Sequence, residues 1–89
     1  MDAIKIGNER VLLNNVTNVN ERVSNCLRAL DDGTVVEDYY AKDEERQKGL
    51  VVTVYFVTGL SEGDYVKFCG KEAEEFLKRF DALTIQQVR

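Results

Sequence analysis

Histidine is absent from the 89-residue chain, and with it go the commonest general base near neutral pH and the commonest neutral metal ligand. Cysteine is scarce: Cys26 and Cys69 stand apart on separate apolar stretches, which reads as two buried free thiols rather than a disulfide or redox pair. Two such thiols make no structural zinc site, and a nucleophilic cysteine would need an activating group other than histidine. The only serines, Ser24 and Ser61, lack the glycine-flanked context of a nucleophile elbow, and the six glycines are scattered singly, forming neither a phosphate loop nor a dinucleotide fingerprint. Apolar runs are too short to span a bilayer, and the start of the chain does not resemble a signal peptide, so a cytoplasmic protein without membrane contact is expected. Proline is missing too, and nothing about function follows from that. Together these absences point to a protein that is not an enzyme, with no catalytic residues, no metal and no cofactor.

What is present is an ordinary globular composition, 44% hydrophobic and 31% charged, in a length that makes one domain over residues 1–89 with a modest core. The net charge of −4 is unevenly spread. Residues 31–45 hold seven acids against Lys42 alone, a balance of −6, which leaves +2 for the remainder. With no basic stripe, nucleic acid is an unfavourable partner. The acids are sequence neighbours (Asp31-Asp32, Glu37-Asp38, Asp43-Glu44-Glu45) and read as solvated charge. The calcium-loop spacing also fails, because Asp43, Glu45 and Gln47 lack the glycine and the closing acid.

The strongest structural signal is the stretch 50–58, Leu-Val-Val-Thr-Val-Tyr-Phe-Val-Thr, in which β-branched and aromatic residues fill nearly every position. Alternation places Leu50, Val52, Val54 and Phe56 on one face and Val51, Thr53, Tyr55 and Val57 on the other. A strand apolar on both faces is either covered twice by its own domain or covered once by a partner. The turn residues Gly59, Ser61, Glu62, Gly63 and Asp64 predict a reversal into a second strand over 65–69, with Val66 and Phe68 inward and Lys67 outward. Ala73, Phe76, Leu77, Phe80 and Leu83 then recur at helical spacing and predict an amphipathic helix over 71–83. Acids in its first turns and Lys78 and Arg79 near its end suit the helix dipole. This hairpin-then-helix ending loosely resembles the close of pleckstrin-homology-like folds and of many short bacterial and phage proteins, and no residue role is carried over from either.

Toward the start, Ala3, Ile4 and Ile6 predict a short strand, Gly7-Asn8 a hairpin turn, and 11–16 a returning strand. Asn8, Asn14, Asn15, Asn18, Asn20 and Asn25 read as turns and a helix cap. Val16, Val19, Val23, Cys26, Leu27 and Leu30 fit helical spacing better than alternation, so 19–30 reads as a helix, with Asn18 and Glu21 as a capping arrangement and Gly33 as its stop. The rival is a strand over 26–30 turning through Asp32-Gly33 into a second strand, and both readings make 34–40 a strand. Residues 41–49 read as an exposed loop. The fold class expected is α+β: a small antiparallel sheet of about four to five strands with the C-terminal helix on one face, with or without a second helix at 19–30.

Function then rests on surfaces. The expectation is a small interaction or regulatory module that binds a protein partner or itself as a homodimer. The partner-binding residues are placed at Glu37, Asp38, Tyr39, Tyr40, Glu44 and Glu45, because tyrosine brings large area with a polar tip into an acidic, steering segment. A dimer face is placed at Val51, Tyr55 and Val57. Two alternatives belong to other classes: an acidic inhibitor that imitates nucleic acid, as phage- or host-encoded regulators do, and a binder of a small ligand or nucleotide using the asparagines with Arg10, Arg22 or Arg28.

Overall fold

The computed structural model describes residues 3–56 and 65–85. Among these residues six strands and one α-helix follow in order: β1 (Ala3–Ile6), β2 (Glu9–Leu12), β3 (Val16–Ala29), β4 (Val35–Glu37), β5 (Gln47–Phe56), β6 (Tyr65–Cys69) and α1 (Lys71–Ile85). β1 and β2 form a separate antiparallel hairpin turning at Gly7, whose φ of +58° costs an L side chain but not glycine. The other four make an antiparallel sheet in the order β4-β3-β5-β6. The fold is therefore α+β, with the helix packed on the sheet.

One face of β5 carries the main core. Val52 and Val54 meet Ile4, Ile6 and Val11 of the hairpin, Phe68 of β6, and Ala73 and Phe76 of the helix. The rings of Phe68, Phe76 and Phe80 stack in succession, with centroids 5.1 and 5.6 Å apart, so the helix is keyed to the sheet through its predicted stripe. Arg79 donates to the Lys5 carbonyl at 2.9 Å and to Glu75 at 2.6 Å, tying the exposed side of the helix to the hairpin.

The helix expected at 19–30 is a strand instead. β3 runs for 14 residues, pairs with β5 from Val16 to Leu27, and carries irregularities between Val16 and Asn18 and between Ser24 and Leu27. Each inserts an extra residue on β3 and shifts the alternation by one. Val16 and Val19, on either side of the first bulge, therefore fall on the same face although three apart. Across the second bulge, Leu27 passes to the opposite face from Val23. The apolar spacing of three and four that imitates a helix is a strand with two phase slips. The rival hairpin is the one formed: Leu27–Ala29 pairs with Val35–Glu37, and Gly33 at φ +90° sits in its turn. Asn18, Asn20 and Asn25 accordingly lie exposed along a strand, not in turns or a cap.

Three boundaries also move. The return of the first hairpin ends at Leu12, and Val16 already belongs to β3. The strand expected over 34–40 stops at Glu37, because the Asp38 carboxylate accepts the Tyr40 amide at 3.0 Å and the Asp38 carbonyl accepts that of Ala41, folding the chain into a turn. β5 begins at Gln47, inside the expected loop. Val57 and the turn at 59–64 lie outside the described residues.

The second bulge also bends the sheet. β4, hydrogen-bonded to β3, comes into contact with β6 on the far edge. Leu27, Val51 and Cys69 are enclosed beneath Val35 as a second, smaller core. Gly49 is needed in this corner, since a Cβ there would lie 2.6 Å from Cδ1 of the buried Leu27.

Candidate functional site

Cross-strand register defines the face of the sheet opposite the helix. Three rows cross β3, β5 and β6: Arg22-Val51-Cys69, Asn20-Thr53-Lys67 and Asn18-Tyr55-Tyr65. The first row is roofed by β4, which is why Val51, expected at a dimer face, is completely buried by its own chain. The last row is open. Tyr55 is 36% and Tyr65 57% exposed, and their rings lie 6.0 Å apart, tilted at 48°.

Between the roofed row and the open row stands a charge cluster. Glu37 projects from the end of β4 over the sheet, its side chain only 3% exposed. Arg22 donates to both its oxygens, at 2.6 and 2.5 Å, and Lys67 donates to Oε1 at 3.3 Å. This fork-on-fork geometry ties β3, β4 and β6 together. The hydrogen bond from Arg22 holds the Glu37 carboxyl far below the usual carboxylate range against the opposing effect of burial, with Ser24, Tyr39 and Lys67 adding to it. The same bond raises Arg22 above its already high value. The Tyr39 side chain adds a smaller effect in the same direction on both groups, which sets it near the pair.

The six residues predicted for partner binding therefore separate. Glu37 is an internal tie, not a free encounter charge. Asp38 is paired with Arg28 at 3.0 Å, and its carboxyl is lowered first by the Tyr40 amide and then by Arg28. Tyr39 and Tyr40 are exposed at 63% and 96%, and Glu44 and Glu45 are exposed in a short turn beyond them. Of the acids in 31–45, Asp32 is also engaged, accepting from the Thr34 hydroxyl and amide. Tyr65 and Lys67 were legible as outward positions by alternation from Phe68. The part played by Arg22 was not, because it depends on where β4 crosses.

A cleft of about 580 Å³ opens between the β3–β4 turn, the start of β5 and the first turn of α1. The buried Cys69, its thiol pushed up by burial, lines it. Among the described residues, no buried side-chain polar atom lacks a partner, so none stands ready for a ligand there. No group of three or more acids or cysteines could hold a metal, again among the described residues. No described helix is long and apolar enough to cross a membrane.

Comparison of the chain with known protein families, characterised proteins and solved structures finds no match.

Proposed function

We propose that the protein is a non-enzymatic protein-binding module whose contact surface is the open sheet face, anchored by Tyr55 and Tyr65 and bordered by Tyr39, Asn18, Asn20 and Lys67. One observation carries this reading: the four tyrosines of the chain all reach the surface, two of them paired on an uncovered part of the sheet, while phenylalanine fills the core. Rigid aromatic anchors surrounded by asparagine and arginine are the composition of recognition surfaces rather than of solvated sheets. Two cations, Arg22 and Lys67, share the single carboxylate of Glu37 here. The face therefore keeps an excess of positive charge within an acidic chain, and it suits a protein partner with a neutral or mildly acidic patch.

The nucleic-acid-mimic alternative loses support, because Glu37, Asp38 and Asp32 spend their charge on internal partners. The small-ligand alternative keeps only Arg10 of its three arginines, since Arg22 and Arg28 are already paired. Surface plasmon resonance against the partner, once cross-linking has identified it, is the test. Tyr55→Ala and Tyr65→Ala should each weaken binding by about 2 kcal/mol, chiefly through faster dissociation. Unchanged affinity in both variants would refute the assignment.

A further inference from the structure

We propose that β3 offers its free edge to a second copy of this chain, forming a two-fold antiparallel pairing centred on Asn20. β3 has β5 along one side from Val16 to Leu27, whereas on its other side β4 begins pairing only at Leu27. Among the described residues, no strand lies along that second side over 18–24. These seven residues are in unbroken register with β5, framed by the two bulges, and Val23 within them is 61% exposed. An open edge presents alternating amides and carbonyls, and only another extended backbone satisfies both. Lysine and proline, two of the guards of such an edge, are missing from this stretch, whose own charges are Glu21 and Arg22 and whose bulges lie at its ends.

For a second copy the side chains select the register. A two-fold axis perpendicular to the sheet keeps both helix layers on one side and both tyrosine faces on the other. Centring it on Glu21 would set two carboxylates opposite each other, and centring it on Arg22 two guanidiniums. Centring it on Asn20 opposes Asn20 to Asn20, Glu21 to Val19 and Arg22 to Asn18, with no like charges facing, over the longest regular overlap that avoids them. Val23 is then covered near Thr17 of the second copy.

This pairing rests on the β3 edge and not on the tyrosines, although Asn18 and Asn20 border both surfaces. A single edge contact is small, so a reversible dimer is expected whose fraction rises between about 10 µM and 1 mM. Analytical ultracentrifugation should show that rise for the parent chain and for Tyr55→Ala with Tyr65→Ala, so a failure of the tyrosine reading leaves this result untouched. Asn20→Lys and Val23→Lys should be monomeric over the same range, with circular dichroism and Tm close to the parent. Covalent trapping serves even if a lysine variant folds poorly: Asn20→Cys should give a disulfide-linked dimer on mild oxidation. Glu21→Cys should not, because its Cα atoms would lie beyond the roughly 7 Å that a disulfide spans. A parent chain monomeric at 1 mM, dimeric lysine variants, or cross-linking at Glu21→Cys without Asn20→Cys would overturn the proposal.

Discussion

Replacing Glu37 with glutamine keeps the shape of the side chain and removes the charge that ties three strands. Its carboxylate is nearly sealed from water, whereas its partners Arg22 and Lys67 keep 39% and 36% of their side chains exposed. A fully exposed pair contributes about 0–1 kcal/mol, and breaking a fully buried one costs about 3–5 kcal/mol. Both cations can turn to solvent when the charge is removed, so the loss should fall between these limits, at about 2 kcal/mol. Urea denaturation at pH 7 measures it, and a cycle with Arg22→Gln should return a coupling of about 1–2 kcal/mol. The dependence on pH has a fixed sign. A carboxyl lowered in the folded state binds fewer protons there than in the unfolded chain. Its contribution is complete above the unfolded value of about 4.3 and is lost as pH falls toward the lowered folded value. The gap between parent and Glu37→Gln should therefore narrow progressively below about pH 4.5. A loss under about 0.5 kcal/mol, or a gap that widens on acidification, would refute the reasoning.

Phe76→Ala should cost about 3–5 kcal/mol in the same assay, because the ring is wholly buried between Phe68 and Phe80. Phe80→Ala, at a half-buried position, should cost less, about 1–3 kcal/mol. Gly49→Ala should destabilise by about 1–3 kcal/mol through the collision with Leu27, and its combination with Leu27→Val should cost less than the sum of the two. Melting curves with and without a chelator should coincide, since no described cluster of acids or cysteines could bind a metal; a drop of many degrees on chelation would contradict this.

The second half of the chain was the more legible. At β5, β6 and α1 the hydrophobic period matches the structure formed, and alternation alone gives inward Phe68 and outward Lys67, whereas Cys69, outward by the same count, is buried beneath β4. β3 misled because two bulges turn a period of two into gaps of three and four. The pairing of the acidic segment was hidden for a different reason. Composition counts charges but not their partners, and Glu37 meets Arg22 and Lys67 only after β3 bends and β4 passes over the sheet. The same bend covers Val51, so the second face of β5 opens only near Tyr55.

The direct test of the open tyrosine face is site-specific photo-cross-linking in the cell of origin, with a benzophenone amino acid placed in turn at Tyr65, Tyr40 and Glu44. The proposed contact surface predicts a discrete protein adduct from Tyr65, abolished by Tyr55→Ala, and none from Tyr40 or Glu44. An adduct from Tyr40 or Glu44 with none from Tyr65 would contradict it and move the contact to the acidic turn.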